Sequence, residues 1–569
     1  MAQSFKGQKM DFVPLNRLSF TEKKGVQEFT GTMIARPLQL SAYRRQGLSD
    51  FTAQAGHIAA EAQIGDLTQS RIAEIDCYVI RVPAGMTENS LARTLMATGL
   101  FEYVEPNYRV FPAFVPNDTL LGSQWSHSNN SSTEGWDICR GNASLIVALT
   151  DTGVHLTHED LAGNRAPGAN SATAADVASV KTEGAFGSGV VKDLNGHGSH
   201  TTGIAAAIGD NAKGVCGVNI AGTRHLMVRV SDSAGGGSTL NALSIGALWA
   251  AQNGCRVIST SYTGVQNSIM GTTGTTIKNT WNALWCYAAG NDGGTYGTSV
   301  DWPDVTIVGS IMSNNAISGF SARGDFIDVM APGSGILSTY WNNDAVNNTY
   351  ATLDGTSMAT PFAAGLATLI LAENPNYSAQ RVEDILYKSS INNGAVNVQG
   401  WGRVNLWNAV GRKANSFVVG PGFLVSGGLT DLYRIEGSNL IARPGIVPNV
   451  FMAPIQVTTV HNVPAYASNN YGEIDIMTQV ALVGSTGSVT QRLMIFNNST
   501  GLYETVTTGP VNGTFLEGTF PVNAGNFANY IVGGTVKVKV EVFQSGPLTS
   551  PNWQASFDQI NVRTLRATQ

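Results

Sequence analysis

Three side chains of this 569-residue sequence stand where they could carry out nucleophilic chemistry together: Ser357, His197 and Asp151. Ser357 lies in Gly355-Thr356-Ser357-Met358-Ala359-Thr360-Pro361, ahead of an apolar run over 362–371 that reads as a helix. The expected helix starts beside Ser357 and carries Pro361 in its first turn, where a missing N–H costs nothing. A hydroxyl at a helix N-terminus is placed where the backbone dipole favours developing negative charge. It is a weak nucleophile nonetheless, and needs a base to take its proton and a third group to orient that base.

The chain supplies both in constrained settings. Residues 144–150 form a short apolar run suited to a buried parallel strand, which ends in Asp151-Thr152-Gly153. Functional groups of open α/β sheets collect at that C-terminal edge. Asn195-Gly196-His197-Gly198-Ser199-His200 reads as a loop feeding a small-faced helix over 201–207, with His197 on the glycine-flanked turn. The chain order is acid, histidine, serine, one of three unrelated orders in which such triads occur.

With these three motifs the sequence resembles the subtilisin-like (subtilase) serine endopeptidases. A fourth stretch agrees: Trp285-Cys286-Tyr287-Ala288-Ala289-Gly290-Asn291 has a buried-strand pattern, and the resemblance assigns the Asn291 amide to the oxyanion. It implies a subtilisin-like α/β fold, a parallel sheet covered by helices on both faces. It implies that Ser261-Tyr262-Thr263-Gly264 and Gly235-Gly236-Gly237 flank an extended substrate, which would add between them as a strand. Ala288, Ala289 and Gly290 would wall a specificity pocket suited to large apolar side chains. The triple glycine offers backbone without side chains, and Tyr262 stands where the family has a small aliphatic residue, which alters the pocket.

The resemblance also points to calcium at Asp160 and Asn211; read alone, Asp160 is an ordinary acid near a turn. His200 is expected to pack beneath the site. A zinc site at His197 and His200 is disfavoured, because HExxH is missing and no carboxylate is suitably spaced. A lipase or esterase is disfavoured by the absence of Gly-x-Ser-x-Gly at Ser357 and by the chain order. A catalytically silent homologue that works by binding is disfavoured by intact Asp151, His197, Ser357 and Asn291.

The elements that must hold these residues occupy part of the length. At 569 residues several domains are expected. Residues 1–25 are polar. Residues 26–112 mix strands (28–36, 77–82, 101–108) with a helix capped by Thr87 and stopped by Gly99, a small α+β domain. It could be an unrelated accessory domain, but it resembles the subtilase pro-segment, which assists folding and then inhibits its own enzyme. Pro112 and Pro116 mark an extended junction. Residues 117–413 alternate strand and helix, with strands at 226–230, 257–261, 306–309 and 325–330 and helices at 239–253 and 378–389. From 415 to 569 short alternating strands between Gly, Asn and Ser turns read as an all-β sandwich, with Val536, Val538, Val540 and Val542 on one face.

Hydrophobic residues are 43% and charged residues 13%, so surface polarity rests on Ser, Thr, Asn and Gly. A net charge of −6 gives no reason to expect nucleic acid or an anionic membrane as partner. No apolar run nears the ~20 residues of a spanning helix. The five cysteines form no CxxC pair; Cys286 reads as a buried thiol, and no disulfide is assigned. The expected protein is a secreted monomeric endopeptidase, its signal peptide removed, with protein substrates, its own pro-segment as inhibitor, structural calcium and no organic cofactor.

Overall fold

The computed structural model describes residues 29–39, 41, 49–83, 86, 88–108, 114–342, 348–392, 396–411, 414–419, 423–426, 440–443, 455–464, 466, 470–483, 489–513, 515–544 and 554–567. The expected polar segment 1–25, the Thr87 cap and residues 111–113 of the junction expected over 111–117 lie outside them.

Phe29–Pro37 (β1), Asp50–Ile64 (α1), Thr68–Ile72 (β2), Cys77–Arg81 (β3), Glu88–Met96 (α2) and Phe101–Tyr108 (β4) make the N-terminal part. Its strands run β2-β3-β1-β4, with β1 antiparallel to both β3 and β4. Met33, Ile80 and Val104 of the sheet share a core with Ala60, Ile64, Leu91 and Leu95 of the helices. The sequence reading contains no α1. Its buried face is Ala53, Gly56, Ala60 and Ile64, three of them too small to give strong apolar contrast.

The central part contains Ile146–Asp151 (β5), Ala169–Asn170 (β6), Lys181–Thr182 (β7), His197–Ala206 (α3), Arg224–Arg229 (β8), Leu240–Gln252 (α4), Val257–Thr260 (β9), Ser268–Trp281 (α5) and Leu284–Ala288 (β10). Thr295–Tyr296 (β11), Thr306–Ile311 (β12), Arg323–Gly324 (β13), Val329–Pro332 (β14), Ile336–Tyr340 (β15), Thr349–Leu353 (β16), Thr356–Glu373 (α6) and Ala379–Lys388 (α7) complete it. Eight strands form one sheet in the order β14-β12-β10-β9-β5-β8-β6-β7. All pair in parallel except the edge strand β7, so the expected parallel sheet is mixed. Side-chain alternation divides it between two cores: Ala148, Ile258 and Trp285 pack under α4 and α5, whereas Val257, Leu284 and Cys286 pack around α6. The strand expected over 325–330 is shifted: Asp325 and Phe326 form a turn, and pairing starts at Val329.

Helix α6 is apolar on every side, and of its residues only Ser357 is not buried. Each fully buried leucine or isoleucine on it, such as Leu366 or Ile370, contributes about 1.5–3 kcal/mol. The expected place of Pro361 is corrected: the helix starts at Thr356, which puts Pro361 inside it rather than in its first turn.

Ala414–Val419 (β17), Phe423–Ser426 (β18), Leu440–Arg443 (β19), Ile455–Asn462 (β20), Tyr471–Val483 (β21), Val489–Asn497 (β22), Leu502–Pro510 (β23), Phe515–Pro521 (β24), Ile531–Val532 (β25), Thr535–Gln544 (β26) and Gln554–Arg566 (β27) follow. They form two antiparallel sheets, β17-β20-β26-β22-β23 with β25 on β26, and β18-β19-β27-β21-β24. Val536, Val538, Val540 and Val542 are all buried, as their alternation predicts. The second sheet packs on the ends of α6 and α7. Arg381 of α7 donates to Glu473 (2.7 Å), Asp475 (2.6 Å) and Glu517 (3.1 Å), and Arg563 of β27 donates to Glu373 of α6.

Candidate active site

Strand β5 carries Asp151 to the C-terminal edge of the sheet and leaves it buried. Its Oδ1 accepts from the Thr152 N–H (2.7 Å) and from His197 Nδ1 (2.7 Å), and its Oδ2 accepts from Thr201 Oγ1 (3.0 Å). Three donors fix the carboxylate, and the carboxylate in turn fixes the ring.

His197 is the first residue of α3, one step beyond the turn on which it was expected. Gly196 before it has φ +103°, and a Cβ there would fall 2.4 Å from the Trp341 carbonyl, so the turn admits glycine alone. Burial disfavours the charged imidazole, but the charge and hydrogen bond of Asp151 and the charge of Asp193 outweigh it. The His197 pKa is therefore raised above its ordinary value.

Asp193 was missed by the sequence reading. It is fully buried and ties the acid turn to the histidine turn. Its Oδ1 accepts from Thr152 Oγ1 (2.9 Å) and from the N–H groups of Asn195 (3.0 Å) and Gly196 (2.9 Å). Its Oδ2 accepts from the Ser199 N–H (2.8 Å) and hydroxyl (2.6 Å). The available signal was an acid two residues before Asn195-Gly196, a common turn arrangement.

Ser357 lies in the first turn of α6. In this structure its hydroxyl donates to the Ser261 carbonyl at 3.2 Å and makes no hydrogen bond to His197. Asn291, just past β10, has its Oδ1 occupied by the Thr356 N–H (2.8 Å) and hydroxyl (2.9 Å), which turns its amide nitrogen the other way. A Cβ built on Gly355 would lie 3.3 Å from Asn291 Nδ2 and 3.5 Å from the Ser357 nitrogen. Two N–H donors thus border one small volume beside the nucleophile, a geometry able to stabilise an oxyanion.

The other named segments gather around Ser357. Ser261 Oγ donates to the Ser357 carbonyl (2.9 Å). The Gly290 N–H donates to Thr356 Oγ1 (3.2 Å), and Ala288 and Ala289 are buried behind it. Gln266 Nε2 donates to the Ala289 carbonyl (3.0 Å) and Tyr287 Oη to the Thr263 carbonyl (3.2 Å). Gly264 has φ +104° and abuts Leu240. Asn195 Nδ2 donates to the Ala234 carbonyl (2.8 Å), and Tyr262 Oη to the Gly236 carbonyl (2.8 Å), so 235–237 runs beside the histidine turn.

His200 packs beneath the site as expected. Its Nε2 donates to the Ile336 (3.0 Å) and Ala351 (2.9 Å) carbonyls, and burial pulls its pKa down to about 3. Asp160 and Asn211 are also brought together: Asn211 Nδ2 donates to Asp160 Oδ1 (3.0 Å), while the Val215 N–H (3.0 Å) and Tyr350 Oη (3.0 Å) donate to Oδ2. Asp160 is fully buried, and Asn211 reaches it from a different loop with its amide nitrogen, its oxygen accepting from the Lys213 N–H (2.8 Å); the pair would offer a hard cation carboxylate and amide oxygens once the Asn211 amide turns its oxygen toward Asp160. The five cysteines are all buried, and none is joined in a disulfide.

A family model described as the Subtilase family matches residues 142–402, a stretch holding Asp151, His197, Asn291 and Ser357. The chain is 33% identical over 335 residues to the Thermophilic serine proteinase of Bacillus sp. (strain AK1), covering 56% of this chain and 75% of that protein. It is 36% identical over 312 residues to Thermitase of Thermoactinomyces vulgaris, covering 52% and 99%. It is 35% identical over 275 residues to Subtilisin DY of Bacillus licheniformis, covering 46% and 90%.

Proposed function

The chain belongs to the subtilase family and is a subtilisin-like serine endopeptidase, and from that premise we propose that it cuts protein substrates through an acyl-enzyme on Ser357 and is made as a zymogen that removes its own N-terminal part. The observation that carries this reading is one arrangement: an Asp151–His197 pair held at 2.7 Å at the sheet edge, and Ser357, the single unburied residue of α6, bonded to the carbonyl of Ser261, the neighbour of Tyr262 whose ring stands 6.4 Å from that of His197.

The chemistry follows from that arrangement. An arriving substrate N–H takes over the Ser261 carbonyl, and the Ser357 hydroxyl turns between staggered wells toward His197. Ser357 Oγ bonds to the peptide carbonyl carbon while His197 Nε2 takes its proton. Asp151 holds the imidazole tautomer and stabilises the imidazolium. Asn291 Nδ2 and the Ser357 N–H receive the oxyanion. His197 then protonates the leaving amine as the C–N bond breaks. A water gives a proton to His197, attacks the ester and frees the acid, and the proton returns to Ser357.

The zymogen reading is supported by the separate core of β1–β4, which leads by a short connection into the catalytic part. Secretion is proposed on the likeness to bacterial proteases; among the described residues no helix is long and apolar enough to cross a membrane. A monomer inhibited by its own N-terminal part completes the reading. Its test follows intact mass and N-terminal sequence over time for the chain and for Ser357→Ala. The unaltered chain should cut itself between about Val110 and Leu121 and the variant should stay whole. If both stay whole, self-processing is wrong; equal cutting of both would mean that another protease does it.

A further inference from the structure

Tyr262 closes the space between the two segments that flank the proposed substrate strand. Its hydroxyl donates to the Gly236 carbonyl at 2.8 Å. Its ring stands beside that of His197, with centroids 6.4 Å apart and planes inclined by 59°. It is half-buried and braced against the core under α4 and α5. Burial and the nearby charges of Asp151 and Asp193 raise its phenol well above the usual value, so the hydroxyl stays a donor. Gly236 itself lies against the histidine turn: a Cβ there would be 3.2 Å from Thr152 Cγ2 and 3.3 Å from the Asn195 side chain.

A peptide paired on both sides needs its flanking edges about 9.5 Å apart, two strand spacings. Tyr262 bridges that gap with one side chain and so becomes the floor over which the peptide passes. Side chains of an extended peptide alternate in direction. On the reading that Ala288, Ala289 and Gly290 wall its pocket, the residue whose carbonyl is attacked turns its side chain toward them. The residue before it turns the other way, toward His197 and Tyr262.

Resting on the reading of the site given above, we propose that Tyr262 restricts the second substrate residue on the acyl side of the cut bond to small side chains, glycine or alanine. The space that a leucine or phenylalanine would need is already taken by the phenol ring. The hydrogen bond to Gly236 keeps the ring there.

The test uses the full chain and a series of fluorogenic peptides that differ only at that residue, as Gly, Ala, Leu or Phe. The unaltered enzyme should favour Ala over Phe in kcat/KM by about 10-fold or more, the scale on which a pocket discriminates by size. Tyr262→Ala should bring the ratio near one by raising the Phe value. Tyr262→Phe, which keeps the ring and loses only the bond to Gly236, should hold most of the preference. An unaltered enzyme indifferent to this residue overturns the proposal, and so does a Tyr262→Ala ratio that does not move. Each protein is also labelled with a fluorophosphonate. Labelling at Ser357 with an unmoved ratio rejects the role of Tyr262 alone; no labelling of the unaltered chain rejects the active-site reading and this proposal with it.

Discussion

Ser261 and Ser357 hold each other by two reciprocal hydrogen bonds: Ser261 Oγ donates to the Ser357 carbonyl at 2.9 Å, and Ser357 Oγ donates to the Ser261 carbonyl at 3.2 Å. The first bond answers a proline. Pro361 has no N–H for the carbonyl four residues before it, and that carbonyl belongs to Ser357. Ser261→Ala removes the replacement donor at a cost of about 0.5–1.5 kcal/mol. It should lower kcat several-fold with little change in KM, read by steady-state kinetics; an unchanged kcat would mean that the bond does not position the nucleophile.

Asn291→Ala should leave KM nearly unchanged and lower kcat by about 10²–10³, a general figure that comes from subtilisin itself and so from within this family. A loss confined to KM would remove Asn291 from the oxyanion role.

Asp151 and Asp193 raise the His197 pKa from its ordinary value against the effect of burial. The base must be neutral, so kcat/KM should rise with pH through an apparent pKa above about 6.5. Asp193→Asn removes one raising charge and should move that limb toward lower pH while also lowering kcat. A pH–rate profile of both proteins checks the direction, and a limb that stays in place would leave Asp193 a structural tie only.

Arg563 is fully buried and donates to Glu373 and to the Ala409 carbonyl (2.7 Å), with Asp475 3.5 Å away. It pins β27 to the far end of the helix that carries Ser357. Arg563→Met strands buried carboxylates and should cost about 3–5 kcal/mol of stability in urea unfolding. Adding Glu373→Gln should recover part of that loss. If Arg563→Met is neutral, this buried ion pair does not hold the two parts together.

Calcium at Asp160 and Asn211 should raise the melting temperature, and a chelator should reverse the rise. Asp160→Asn should abolish the response to calcium, read by calorimetry in chelator and in millimolar calcium. An unaltered protein whose melting does not respond excludes the ion there.

Much of the fold was legible because buried strands and helices announce themselves by apolar period. β4, β5, α4 and α7 lie within a residue or two of their expected bounds, and Thr239 and Ser378 cap the two helices by accepting from the N–H groups of Ala242 (3.2 Å) and Arg381 (3.1 Å). What failed had weak local contrast. α1 hides a face of alanine and glycine, and the hairpin β15–β16 next to the histidine turn joins strands that alternate poorly.

Which residue types meet, and in what order along the chain, was legible in the sequence, because motifs around Asp151, His197, Asn291 and Ser357 are local and each borders a recognisable element. What those residues touch was set by the fold. That Asp193 joins two turns, that Ser261 takes up the carbonyl freed by Pro361, that Tyr262 reaches Gly236, and that Arg563 meets Glu373 are contacts between segments distant in sequence. Hydrogen bonds and ion pairs act over a few ångströms, and no periodicity within one segment records which distant segment the fold will place at that distance.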